Sequence, residues 1–127
     1  MKSPAEKNRI LIVDDEKSNL LILNSILGQE YSLLMARNGG EAIERAMEHM
    51  PDLILLDVIM PGIDGYDVIT TLKRSEKTRG IPVIFITGLN SPEDEEKGLS
   101  LGAAGHIAKP FSPAMVRQQV ESQIMNR

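Results

Sequence analysis

Cysteine is absent from the 127 residues, which excludes disulfides and thiolate metal sites and fits an intracellular protein. Nitrogen ligands are scarce as well: His49 and His106 are the two histidines, so any metal site must rest on oxygen. No apolar run approaches the roughly 20 residues needed to cross a bilayer, which argues against membrane insertion. The first eight residues, Met1 to Asn8, are polar and carry no signal-peptide pattern, so cytoplasm is the expected location. Positive charge is also in short supply. Fourteen Lys and Arg stand against eighteen Asp and Glu, a net charge of −4, with no basic face for direct nucleic-acid binding. The glycine-lysine loop of P-loop enzymes is missing. Repeats, linkers and low-complexity tracts are missing too. The length fits one domain, and residues 1–8 read as a flexible lead-in to a unit over 9–127.

What is present is a recurring pattern: a short apolar run that ends in a polar group. The clearest instance is Leu53 to Leu56, four branched aliphatics leading into Asp57 and then the turn signals Pro61-Gly62 and Asp64-Gly65. A run without alternation suits a strand buried on both faces, as in a parallel sheet covered by helices. Arg9 to Val13 likewise leads into Asp14-Asp15, Val83 to Ile86 into Thr87, and Gly105 to Ala108 into Lys109-Pro110. Tyr31 to Ala36 supplies one more strand, and Asn38-Gly39-Gly40 reads as the turn after it. Between the strands lie segments of helical spacing. Asp14 to Glu16 form a loop and an acidic start to the first, and Gly28 ends it. Ala42, Ile43, Ala46 and Met47 line the second, and Tyr66, Val68, Ile69 and Leu72 the third. Ser91-Pro92 caps the fourth, which Gly98 weakens by about 1 kcal/mol relative to Ala. Ser112-Pro113 caps the fifth, with Met115, Val116, Val120 and Ile124 as its buried side. The methionines read as core filler, apart from Met60 in a loop. The alternation predicts an α/β fold, a doubly wound (βα)5 parallel five-stranded sheet whose ligand lies at the carboxyl ends of the strands.

Asp14, Asp15, Asp57, Thr87 and Lys109 all fall on that edge. Three carboxylates there repel one another unless a cation sits among them. Hard oxygen donors select Mg²⁺ or a similar ion. A metal, the Lys109 ammonium and the Thr87 hydroxyl around one carboxylate form a set suited to phosphoryl oxygens. Asp57, at the centre of the sheet, is the natural nucleophile, because a carboxylate can carry a phosphoryl group as an aspartyl-phosphate. The bland readings are helix-start acids for Asp14 and Asp15, a strand residue for Thr87 and a solvated lysine for Lys109. The constellation outweighs them.

Four blocks, Ile-Leu-Ile-Val-Asp14-Asp15, Leu-Ile-Leu-Leu-Asp57-Val-Ile-Met-Pro-Gly-Ile-Asp-Gly, Ile-Pro-Val-Ile-Phe-Ile-Thr87 and Gly-Ala-Ala-Gly-His-Ile-Ala-Lys109-Pro-Phe, occur in this order and spacing. Together they resemble the response-regulator receiver domain of two-component signalling over residues 9–127. The resemblance implies a flavodoxin-like strand order 2-1-3-4-5. It implies phosphoryl transfer to Asp57 from a phosphohistidine on a sensor histidine kinase or histidine phosphotransfer protein. Mg²⁺ would be bound by Asp15, Asp57 and the main-chain carbonyl of Ile59, with Asp14 acting through water. Thr87 would follow the phosphoryl group, Lys109 would pair with it, and the bond before Pro110 would be cis. The switch would run to the face made by the fourth helix, last strand and fifth helix, and on to an output domain or partner. A homodimer through that face is a further option. Such a chain is a phosphoprotein and signalling module, not a turnover enzyme.

The chain departs from the family pattern at His106, where a receiver usually places Tyr or Phe as the aromatic part of the switch. Ile59 is apolar where many relatives are polar, which points to an effect on phosphoryl lifetime. The rival from another class is a pseudo-receiver, a protein-binding scaffold that works without phosphorylation. An aspartyl-phosphate phosphatase of the haloacid-dehalogenase type fits less well, since those carry Asp-x-Asp after the first strand. Leu20, Leu21 and Leu23 give the first helix more apolar residues than one face needs; packing and kinase docking are both open readings.

Overall fold

Strand and helix alternate without interruption through the computed structural model, which describes residues 6–125. The strands are β1 (Arg9–Val13), β2 (Ser32–Ala36), β3 (Leu53–Leu56), β4 (Val83–Thr87) and β5 (Gly105–Ala108). The helices are α1 (Lys17–Leu27), α2 (Gly39–His49), α3 (Gly65–Arg74), α4 (Pro92–Ser100) and α5 (Pro113–Met125). The strands form one sheet ordered β2-β1-β3-β4-β5, and every neighbouring pair is parallel. The expected fold class is therefore observed.

Every residue of β3 is buried, as a central strand between two helical layers requires. Side-chain alternation divides the core in two. Ile54 and Leu56 join Leu11, Val13 and Phe85 beneath α2 and α3, with Ala42, Ala46, Val68 and Leu72. Leu53 and Leu55 join Ile10, Ile12, Ile84 and Ile107 on the other face, against Leu20, Leu23, Val116 and Val120. Burial of each such aliphatic stabilises by about 1.5–3 kcal/mol. The sheet edge above them can therefore carry polar groups that contribute nothing to packing.

Several local expectations differ. Gly39 and Gly40 belong to α2, because Asn38 turns out to be its N-cap and accepts the Glu41 N–H at 2.8 Å. No acidic residue lies in the first turn of α1; Glu16 is its N-cap, and Asp14 and Asp15 remain in the loop before it. Met60 is buried at 6% exposure within the α2–α3 layer, whereas Met50, Met115 and Met125 are exposed, so methionine is not uniformly core filler. Of the expected buried side of α5, Val116 and Val120 are buried and Ile124 packs partly buried against the same core, whereas Met115 is exposed. Residues 1–5 of the expected lead-in lie outside the described residues. Gly98 is the buried residue of α4 and faces Phe85, where an added Cβ would stand 3.0 Å from the ring. The glycine that weakens α4 is thus the one that lets it approach the sheet.

Candidate functional site

The ladder carries β1 and β3 side by side to the same edge, with Val13 paired to Leu56, so Asp14 and Asp57 emerge as neighbours. Asp57 continues the ladder by donating its N–H to the Val13 carbonyl at 3.1 Å, and Asp14 does the same to Ala36 at 3.1 Å. The loop after Asp57 is pinned at once: Gly65 donates its N–H to the Val58 carbonyl at 2.8 Å. A side chain at Gly65 would run into the Asp57 carbonyl oxygen and stand 2.8 Å from the Val58 Cα, so only glycine permits this return. Asp64 then caps α3 with a reciprocal capping box to Asp67.

Lys109, at the end of β5, reaches across the edge from the other side. Its Nζ donates to Asp14 Oδ2 at 2.7 Å and to Asp57 Oδ2 at 2.9 Å. Burial would lower the pKa of this ammonium, but the hydrogen bonds and charges of Asp14 and Asp57 overcome that and hold it above the ordinary lysine value. Both carboxylates are buried, Asp14 at 2% and Asp57 at 6% exposure, which strengthens the pairing. The Lys109–Pro110 peptide bond is cis.

Asp14 is fully engaged. Its Oδ1 accepts the Glu16 N–H at 2.9 Å, and its Oδ2 accepts from Lys109 and from Asn19 Nδ2 at 3.2 Å. Asp15 differs: among the described residues no donor reaches its carboxylate, which lines a cleft of about 280 Å³ with Glu16, Asp57, Ile59, Gly88 and Lys109. One carboxylate oxygen each from Asp14, Asp15 and Asp57 lie within 4.8 Å of one another, a grouping that could hold a metal ion. Three oxygen donors around an acidic cleft fit a hard divalent cation. Among the described residues the Asp14 carboxylate accepts three hydrogen bonds and that of Asp57 two, whereas the Asp15 carboxylate is open to the cleft. Ile59 stands at the mouth, 59% exposed, and its N–H approaches Asp57 Oδ1 at 3.4 Å.

Thr87 sits at the end of β4, fully buried, its hydroxyl accepting the Leu89 N–H at 3.2 Å while its carbonyl accepts the Lys109 N–H at 3.0 Å. It shares the edge but does not line the cleft; Gly88, with open space where a Cβ would be, takes that place. His106 lies further back on β5, paired in register with Phe85 and so on the α4 side of the sheet. Both its ring nitrogens are buried, with no hydrogen-bond partner among the described residues. The sequence reading omitted Asn19 and Arg37. Asn19 could have been found from its place in the first turn after the acidic pair. Arg37 donates from Nη2 to the Asp15 carbonyl at 3.1 Å, a contact that strand order alone does not specify.

The family model described as the response regulator receiver domain matches residues 10–121. The chain is a member of the response-regulator receiver family. Among curated proteins, this receiver is 42% identical over 115 residues to response regulator PleD of Caulobacter vibrioides, covering 90% of the chain and 25% of PleD. It is 41% identical over 118 residues to a "Probable cyclic di-GMP phosphodiesterase" of Vibrio cholerae, covering 93% of the chain and 27% of that protein. The receiver thus spans about a quarter of these relatives, and the phosphodiesterase name belongs to a much longer chain. Among solved structures it superimposes on the Vibrio cholerae chemotaxis protein CheY4 with a TM-score of 0.86 at 27% identity, covering 91% of this chain and 98% of the other. Receivers are signalling modules. Among the described residues no helix is long and apolar enough to cross a membrane.

Proposed function

We propose that this receiver accepts a phosphoryl group on Asp57 in a Mg²⁺-dependent step, the donor being a phosphohistidine of a sensor histidine kinase or histidine phosphotransfer protein. The observation that carries the reading is the sharing of Lys109 between Asp57 and Asp14 beside the open Asp15 carboxylate. An Asp57 oxygen attacks phosphorus, the P–N bond breaks as the O–P bond forms, and the imidazole leaves with a proton from solvent. Mg²⁺, held by Asp15, Asp57 and the Ile59 carbonyl with Asp14 behind, would neutralise charge on the phosphoryl oxygens. Lys109, already within hydrogen-bond reach of Asp57, turns to the new oxygens without losing Asp14.

The phosphoryl group adds a charge of about −1.5 to −2. Thr87 answers by releasing Leu89 and donating its hydroxyl to the phosphoryl group, which moves the loop after β4. The helix α4, thinly packed through Gly98, is the element that shifts at least cost, with His106 beneath it. The moved face formed by α4, β5 and α5 signals to an output domain or partner protein, or pairs with a second copy. The test is intact mass after incubation with Mg²⁺ and acetyl phosphate, alongside Asp57→Asn and an EDTA control. One phosphoryl addition that needs both Asp57 and metal is expected. No addition, from acetyl phosphate or from phosphorylated kinases, would leave a phosphorylation-independent scaffold as the better reading.

A further inference from the structure

Of the three grouped aspartates, two have side chains held by donors; among the described residues the third is held only through its backbone. Asp14 has Glu16, Asn19 and Lys109, and Asp57 has Lys109 and the end of a central strand. Asp15 lies in the loop between β1 and α1, and its carbonyl accepts from the Arg37 guanidinium. Arg37 follows directly on β2, the edge strand whose Ala36 carbonyl receives the Asp14 N–H. Its own N–H donates to Glu41 Oε1 at 3.2 Å, and the Glu41 N–H is in turn held by Asn38 at the start of α2. The root of this arginine is therefore anchored to a helix, and its tip to the peptide plane between Asp15 and Glu16.

We propose that Arg37 is a positioning residue for metal binding: by holding the Asp15 carbonyl it fixes the loop that aims the Asp15 carboxylate into the cleft. The inference rests on the metal reading given above. A peptide plane fixed on one side of Asp15 limits the directions its side chain can take, so the carboxylate is pre-organised at no cost when an ion enters. The charge of Arg37 acts in the opposite sense, since a guanidinium near a divalent cation repels it. The two effects predict changes of opposite sign, which makes them separable.

The experiment is calorimetric titration of Mg²⁺ into the whole chain, its Arg37→Met variant and its Arg37→Lys variant, with unfolding curves for each. Removing an outer partner of a metal ligand weakens affinity by about tenfold at the low end of the usual range, and that is the loss expected for Arg37→Met. Arg37→Lys should lose at least as much, because it keeps the repelling charge while a flexible ammonium does not reproduce the anchored Nη2 bond to the Asp15 carbonyl. Arg37 is exposed, so unfolding midpoints should stay close to that of the parent. At saturating Mg²⁺ the phosphoryl addition to Asp57 should persist in both variants. Unchanged or tighter Mg²⁺ binding by Arg37→Met, with phosphorylation of the parent intact, overturns the role of Arg37 alone. A parent that binds no Mg²⁺ and takes no phosphoryl group overturns this inference together with the function on which it rests.

Discussion

Removing the charge of Asp57 should make the metal-free protein more stable. The Asp57 carboxylate stands within 4.8 Å of carboxylate oxygens of Asp14 and Asp15, and 2.9 Å from the Lys109 ammonium. At an effective dielectric of about 20, each repulsion amounts to at least about 3.5 kcal/mol and the attraction to about 6 kcal/mol. Two repulsions against one attraction leave Asp57 about 1 kcal/mol worse off as an anion, somewhat less where solvent screens Asp15. Asp57→Asn is nearly isosteric and removes that excess, so its thermal midpoint in EDTA should rise by about 3–5 °C for a chain of this size. Mg²⁺ reverses the comparison. An ion at a hundred times its dissociation constant stabilises the parent by about 2.7 kcal/mol, whereas the Asn variant, short of one charged ligand, should gain far less. The assay is thermal or urea unfolding of both proteins with EDTA and with Mg²⁺. If Asp57→Asn is the less stable protein in EDTA, or if both respond equally to Mg²⁺, the charge account is wrong.

Other perturbations follow from the same geometry. His106→Phe removes a buried donor and a buried acceptor that have no partner among the described residues, at a cost of about 1–3 kcal/mol in the parent, so a higher urea midpoint is expected and an unchanged one would refute it. Ile59→Asn puts an amide that can orient water at the mouth of the cleft, so the phosphorylated protein should hydrolyse several-fold faster; equal rates would remove the idea. Gly65→Ala places a methyl against the Asp57 carbonyl and should cost about 2–3 kcal/mol, read from denaturant unfolding, with a neutral result refuting the close approach. Lys109 has a raised folded pKa, so its contribution is complete below the unfolded value of about 10.4 and is lost as pH rises through the folded one. Tyr31 and Tyr66 are raised and act in the same direction, whereas Lys73 is lowered and opposes them. Comparison with Asp57→Asn isolates Lys109: the variant should lose less stability above about pH 10.4, and an identical loss would count against the ion pair.

Much of this receiver could be read from order and type of residue alone. A strand buried on both faces must be continuously apolar, and a crossover between parallel strands must be helical, so Leu53 to Leu56 and its counterparts defined a parallel (βα)5 sheet. Polar residues ending those runs had to share one edge, which brought Asp14, Asp15, Asp57, Thr87 and Lys109 to the same end of the molecule. Tertiary structure decided what no periodicity encodes. Lys109 spans two particular oxygens, Asp14 is consumed by its donors while Asp15 is left open, and Arg37 arrives from an edge strand because β2 lies beside β1. Met60 was placed in a loop and proved buried, because a turn that folds back under Gly65 can still cover the core. Local sequence determines which segments bury and where they stop; only the packed sheet sets ångström distances between side chains dozens of residues apart.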